Sequence, residues 1–320
     1  MDLISGREAY GRVLLEIGEN EKIVVLDADV SKATRTCYFA KKYPDRFFNV
    51  GIAEQNLLGV AAGLAIGGKI PVASTFAVFA ACKALDQIRN VICKSNLNVK
   101  IIATHAGLTV GEDGASHQSV EDISIMRTIP NLTVIAPADA NETKQVIKEA
   151  VLNHYGPVYV RLSRYDTPAI TDENEKFTIG KGRVICEGTD ITIISTGIML
   201  NNALKAVKLL KVKGIKTALL NMPTIKPLDR ELIYQYARKT KALITIEENT
   251  AIGGLHSAVC ELLSQIYPIP ILSVSINDRF GTSGSSEELL KYYHLTETDI
   301  FNKSLELIKI KNRFLEEELK

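Results

Sequence analysis

The chain has 320 residues, 46% of them apolar, which suits about two domains of roughly 150 residues each with sizeable cores. Its 38 basic and 37 acidic residues leave a net charge of +1, so composition points to no nucleic-acid partner and no membrane surface. Five scattered cysteines (Cys37, Cys82, Cys93, Cys186, Cys260) form no C-x-x-C pair, which argues for reduced thiols in a cytoplasmic protein and against a disulfide frame or zinc site.

Apolar strand-like runs alternate with helical stretches throughout, the pattern of a mostly parallel α/β sheet, here in two doubly wound units. The N-terminus from Met1 to Arg7 carries no signal-peptide pattern, and no apolar run is long and charge-free enough to span a bilayer. Ser5 is placed to cap a helix to about Ile17. Lys22 to Leu26 reads as a buried strand, with Asp27-Ala28-Asp29 at its C-terminal end, the edge where ligands bind in open α/β sheets. Ser31 to Lys42 reads as irregular or weakly helical, and Phe47, Phe48 and Val50 as a short strand. Ile52 to Ile66 reads as a buried helix: Gly59 and Gly63 predict close packing, and Gly67-Gly68 its end.

Ile70 to Ser74 is the next strand, and Thr75 opens a helix to about Cys93. Val99 to Thr104 is a strand, followed by the glycine-rich polar loop His105 to Gln118, long for a compact domain. Glu121 to Arg127 is helical, Thr133 to Ala136 a strand, and Asp139 to Asn153 a helix capped near Asp139. Val158 to Leu162 closes the first sheet, with Arg161 and Arg164 at its end. The first unit thus covers residues 1–165. Residues 166–187, broken by Pro168, Gly180 and Gly182, read as a linker, and 188–320 as the second unit. There, strands at Ile191 to Ser195, Thr217 to Leu220, Ala242 to Glu247 and Ile271 to Ile276 alternate with helices at Met199 to Lys213 and Arg230 to Arg238. Glu248 to His256 opens a helix to about Tyr267, and Leu305 to Lys320 is a charged helix prone to fray.

Four features invite chemistry. Glu54 is the one carboxylate in the apolar stretch from Asn49 to Ala65, and it falls in the first turn of a helix. Free N–H groups and the helix dipole favour a charge there, whereas burial opposes it. It is read either as a helix-capping acid or as a carboxyl poised to share a proton. The loop from His105 to His117 carries two imidazoles and two acids. Metal ligation, a self-capped structural loop, and acid–base recognition of a polyhydroxyl substrate compete for it; the loop has no H-x-x-x-H. Phe76 and Phe79, three apart, share a face and read as core or as a platform for a flat heteroaromatic ring. Arg7, Arg161 and Arg164 read as surface charges or ion-pair partners; Arg164, just past a strand end, is well placed for an anionic ligand. Gly253-Gly254 lacks the G-x-G-x-x-G pattern and reads as a tight strand-to-helix turn.

Together these segments resemble the C-terminal two thirds of transketolases, the pyrimidine-binding domain followed by a smaller C-terminal domain, over essentially the whole chain. The resemblance is strongest at Gly51-Ile52-Ala53-Glu54, at Ser74-Thr75-Phe76 and at Gly111-Glu112-Asp113-Gly114-Ala115-Ser116-His117-Gln118; Pro130-Asn131 and Leu162-Ser163-Arg164 follow in the right order. It implies a thiamin diphosphate enzyme moving a two-carbon ketol unit from a ketose phosphate to an aldose phosphate, with the pentose phosphate pathway as the default setting. Glu54 would bond the aminopyrimidine N1′, a role that needs a dry, proton-sharing carboxyl. Phe76 would stack on that ring with Phe79 beside it, and Asp29 matches an acid near the cofactor. His105 and His117 would move protons at the sugar hydroxyls and carbonyl. Asp113 would contact a hydroxyl, and Arg7 and Arg164 would hold the sugar phosphate.

Three positions depart from the family: Cys82 stands for an aromatic, Ala33 for a phosphate-site serine, and Ala115 for a proline. The family's G-D-G motif, which holds the diphosphate through Mg²⁺, has no counterpart in the sequence. The expectation is therefore a split enzyme, active only with a partner subunit that supplies the diphosphate and metal site, in a heterotetramer with two copies of each. A 1-deoxyxylulose-5-phosphate synthase-like chain, a 2-oxoacid dehydrogenase beta-type subunit and a non-catalytic scaffold are the rivals. The pair Phe76 and Phe79 favours transketolase over the first, which shares a similar histidine loop, and the Gly111–Gln118 motif favours it over the second.

Overall fold

The structure, a computed structural model, describes residues 3–318. The first unit begins with β1 (Leu3–Ser5), α1 (Gly6–Ile17), β2 (Ile23–Asp27), α2 (Ser31–Thr34), α3 (Cys37–Lys42) and β3 (Phe47–Asn49). It continues with α4 (Glu54–Ile66), β4 (Ile70–Phe76), β5 (Lys100–Thr104), α5 (Asp122–Arg127), β6 (Thr133–Ile135), α6 (Ala140–Lys148), β7 (Val158–Arg161) and β8 (Asp166–Pro168). Then come β9 (Arg183–Cys186), β10 (Ile191–Ser195), α7 (Met199–Val212), β11 (Thr217–Asn221), β12 (Thr224–Lys226), α8 (Arg230–Thr240) and β13 (Leu243–Thr250). The chain ends with α9 (Leu255–Ile266), β14 (Ile271–Ile276), α10 (Ser286–Tyr292) and α11 (Glu297–Glu318).

Two mostly parallel sheets carry these elements, in the orders β12-β6-β7-β5-β4-β2-β3 and β14-β13-β10-β11-β9. Both are covered on both faces, which explains why their strands are apolar almost without interruption. In the first sheet, Val24, Leu26, Ile101 and Ala103 face α4 through Leu57, Leu58 and Ala61. The alternate residues Ile23, Val25 and Ile102 face α1 and α6 through Leu14 and Val146. In the second, Ile193 and Ile244 pack with Leu200 and Leu307, while Ile194 and Leu220 pack with Ile233 and Val259.

The units are laced together. Strand β12 leaves the second unit and pairs antiparallel with β6 of the first sheet. Within the stretch read as a linker, β8 pairs with β1 and β9 joins the second sheet beside β11. Asp139 caps α6 by accepting from the Glu142 N–H at 2.9 Å, and also accepts from the Ile170 and Thr171 N–H groups, both at 2.7 Å.

Four expectations change. The stretch after Thr75 is not one helix: β4 continues to Phe76, and two π-helical turns follow, Phe79–Lys83 and Gln87–Cys93. Such turns add a residue to the ladder and re-aim side chains. Gly59 and Gly63 meet no neighbour, because α4 buries its Leu57, Leu58, Ala61 and Ala62 side and turns the glycines outward. Glu248 lies inside β13, which runs on to Thr250 before α9 starts at Leu255. The C-terminal helix starts at Glu297 and is docked through buried Ile300, Ser304 and Leu307, a spacing that places all three on one helical stripe.

Candidate active site

The C-terminal ends of β4 and β5 bring most of the sequence-nominated residues into one row. Phe76 ends β4, and the π-helical turn after it swings Phe79 alongside, so that the two rings stack at 5.7 Å and 17°. His105 follows β5 in a left-handed conformation (φ 56°), sparsely populated by non-glycine residues and favoured at functional sites. That turn lays its imidazole on Phe76, centroids 4.0 Å apart. His117 returns from the loop edge-on to Phe79 at 5.4 Å and to Phe76 at 6.3 Å.

Hydrogen bonds fix the His105 ring. Thr104 Oγ1 lies 2.8 Å from Nδ1, and Arg7 Nη1, from the first turn of α1, lies 3.4 Å from Nε2. An arginine only donates, so Nε2 accepts and the proton sits on Nδ1, donated to Thr104. Burial, reinforced by the charges of Arg7 and Arg164, pushes His105 down to about 3. The imidazole is therefore neutral at every physiological pH. Arg7 itself is held below the usual guanidinium range, chiefly by burial, and donates to the Ala33 carbonyl at 3.1 Å.

Glu54 opens α4 and is 6% exposed. The dry carboxyl foreseen from the sequence is met only in part. Glu54 borders an open cavity of about 580 Å³ that it shares with Ile52, Gln55, Asn56, Cys82 and Lys83. Lys83 Nζ sits 3.3 Å from Glu54 Oε1 and 3.9 Å above the Phe79 ring centre. Glu54, Lys83, Phe79, Phe76, His105 and Arg7 thus form a continuous chain of contacts, with His117 edge-on to both phenylalanines.

The anionic end of the row is more mixed than the sequence suggested. Arg7 and Arg164 line a second cavity of about 340 Å³, together with Glu112, Asp166 and Glu287. Arg164 is already paired with Asp113 at 3.2 Å, and it donates to the Val110 carbonyl at 3.1 Å. Asp29 stands apart, accepting from Asn49 Nδ2 at 2.8 Å. Arg161 is no surface charge: it is buried, with Nε 3.1 Å from both Asp122 oxygens.

The sequence reading missed Lys83 and the contribution of the second unit. Lys83 is four residues beyond Phe79, a spacing that puts both on one helical face and was available as a signal. Ser285-Ser286-Glu287-Glu288 forms a capping box that starts α10 and delivers Ser285, Ser286 and Glu287 to the second cavity.

The family described as "Transketolase, pyrimidine binding domain" matches residues 2–169, and "Transketolase, C-terminal domain" matches residues 180–300. The chain belongs to the transketolase family. A protein of Methanocaldococcus jannaschii, named provisionally as a transketolase C-terminal section, is 50% identical over 308 residues, covering 95% of this chain and 96% of the relative. A 6-deoxy-6-sulfo-D-fructose transketolase subunit from a Clostridium species is 40% identical over 307 residues, covering 96% of this chain and 95% of that protein. Among solved structures, one described as a split-gene transketolase, an inactive beta4 tetramer, is 52% identical with a TM-score of 0.90, covering 96% of this chain and 99% of that one. The transketolase family implies dependence on thiamin diphosphate.

Proposed function

We propose that this chain is the C-terminal subunit of a two-chain transketolase that moves a two-carbon ketol unit from a ketose phosphate to an aldose phosphate. The observation that carries the reading is the contact row from Glu54 through Phe79 and Phe76 to His105 and Arg7 along one sheet edge. It sets a carboxylate, two stacked aromatic faces, two imidazoles and a guanidinium in the order that a flat cofactor ring followed by a phosphorylated sugar needs. The pyrimidine end of thiamin diphosphate fits the residues present: Glu54 borders an open cavity, and the rings of Phe76 and Phe79 lie beyond Lys83.

When bound, thiamin diphosphate supplies a carbon nucleophile and an electron sink beside a carbonyl group. The chain's own residues do the rest. Glu54 would hydrogen-bond the pyrimidine N1′, and Phe76 and Phe79 would form the wall against which the ring stacks. His105, neutral and with its tautomer set by Thr104 and Arg7, exchanges hydrogen bonds with substrate hydroxyls; His117 moves a proton at the carbonyl oxygen. Arg7 and Arg164 hold the anionic end of the sugar, for which Arg164 exchanges its contact with Asp113, and Asp113 then meets a hydroxyl.

The diphosphate and Mg²⁺ are assigned to a partner chain, in an assembly with two copies of each subunit. The names of the relatives, a "section" and a "subunit", support that assignment. Its place is the cytoplasm, in keeping with five free thiols. The test is ketol transfer from xylulose 5-phosphate to ribose 5-phosphate with thiamin diphosphate and Mg²⁺, on this chain alone and with a co-expressed diphosphate-binding partner. Activity only with the partner supports the reading, and activity of the chain alone refutes the division of labour. Inactivity with these sugars in a well-formed complex, with turnover of a sulfonated ketose, moves the substrate toward that of the Clostridium relative. Turnover of pyruvate instead moves the enzyme to the 1-deoxyxylulose-5-phosphate synthase class.

A further inference from the structure

The loop that carries His105 and His117 is closed at its neck and gripped there from the second unit. The Gly107 N–H donates to the Ser119 carbonyl at 2.9 Å, joining the loop's two ends. From β13, Glu248 reaches across and accepts the Thr109 N–H on Oε1 at 2.7 Å. Its carboxyl group lies against Gly107, where a Cβ would overlap it and where φ is 81°. Arg161, at the end of β7, ties the other side: Nη2 donates to the Glu248 carbonyl at 2.8 Å and reaches the Ser119 carbonyl at 3.5 Å. Gln118 Nε2 binds the Leu108 and Gly111 carbonyls within the loop and the Thr282 carbonyl of the second unit, at 3.1, 3.2 and 2.9 Å. His105 stands two residues before Gly107, and His117 two residues before Ser119. Each imidazole is therefore spaced from a backbone group that this cluster holds.

Holding two domains together does not require such a cluster. Glu248 and Arg161 are both buried, and Glu248 Oε2 accepts no hydrogen bond, standing 4.0 Å from Arg161 Nη1. A buried ion pair so arranged stabilises a fold less well than packed apolar side chains would. What it does supply is a fixed place for three backbone groups, the Thr109 N–H, the Gly107 backbone and the Ser119 carbonyl.

We infer that Glu248 is a positioning residue for the His105–His117 pair, so that the second unit sets the geometry of imidazoles that belong to the first. The catalytic consequence rests on the ketol-transfer reading above; the effect on the loop does not.

The test compares the full chain with Glu248→Ala and Glu248→Gln, first by amide hydrogen exchange. The alanine variant is expected to speed exchange of the 107–119 amides by about tenfold or more, with β10 and β11 unchanged, and the glutamine variant, which keeps an acceptor for Thr109, to fall between. In the complex with the partner, kcat then falls by about tenfold while KM stays within about twofold. Unchanged loop exchange in both variants overturns the inference. So does faster exchange spread evenly through both sheets, which marks a merely structural role, and so does loop-selective opening that leaves kcat intact. If the unsubstituted complex transfers no ketol unit, the reading of function fails, and the exchange pattern alone decides the clamp.

Discussion

Glu54 and Glu247 both belong to strand-to-helix units of a parallel sheet, and their surroundings are opposite. Glu54 borders a cavity, and among the described residues its one side-chain partner is the half-exposed Lys83. Glu247 is fully buried inside β13, where its two oxygens accept the first N–H groups of α9, from Leu255 and His256, each at 2.8 Å. Burial pushes Glu247 up to about 7. Glu142, buried between the units and holding the Ala138 N–H and Asn221 Nδ2, is pushed up to about 7 by the same cause. A raised carboxyl in this fold can therefore belong to an acid that holds structure rather than one that does chemistry. Under the proposed function, the acid offered for chemistry is the one with an exchangeable partner.

That contrast breaks most easily at Glu54. Glu54→Ala is expected to cut ketol transfer in the complex by about a thousandfold, about 4 kcal/mol in the barrier, while the chain's urea midpoint stays put. Retained activity would sink the cofactor role, and a large loss of stability would place Glu54 with the structural acids. Glu247→Ala is the mirror experiment. It strips two buried N–H donors of their acceptor, so unfolding in urea should show a loss of about 3 kcal/mol. A variant of ordinary stability would mean that α9 does not need its cap.

The next effect is set by pH. His105 titrates at about 3 in the fold against 6.5 when free. Between those values the unfolded chain binds a proton that the folded chain does not, so stability rises with pH across this window and is lost as pH falls below 6.5. From pH 8 to pH 5 this one group should remove about 2 kcal/mol of stability. His105→Gln, followed by urea unfolding at both pH values, should lose that component; an unchanged slope would show that the imidazole is not held neutral.

Much of the molecule was legible in its sequence because the signals were local. Strands apolar almost without interruption, such as Ile23–Asp27, announced sheets covered on both faces, and Asp139 announced its helix by capping chemistry. The site row was legible in outline: Phe76, Phe79, His105 and His117 do meet. What escaped was non-local. Strand β12 is three residues long, and its partner β6 lies about ninety residues away in the chain, so no periodicity could expose it. The π-helical turn at Phe79–Lys83 breaks the 3.6-residue rhythm on which a helix reading depends. Glu247 closed the strand read from Ala242 and Glu248 opened the segment after it, yet only the packed structure tells that one holds a helix and the other a loop.

The smallest expected effect is the sharpest probe of the contrast. The Lys83–Glu54 ion pair is half exposed, so it should add little to folding, within about 0.5 kcal/mol. Lys83→Met should therefore leave the urea midpoint unchanged. The ammonium nevertheless lies over Phe79 and beside Glu54, on the ground that the proposal gives to the cofactor ring. Removing it should alter the apparent affinity for thiamin diphosphate in the complex by a few-fold, with kcat changed less. A measurable fall in stability would place the pair with the structural ion pairs such as Arg161–Asp122. Unaltered cofactor affinity would move the ring away from Lys83 and leave Glu54 with a permanent partner, which is the condition that Glu247 already illustrates.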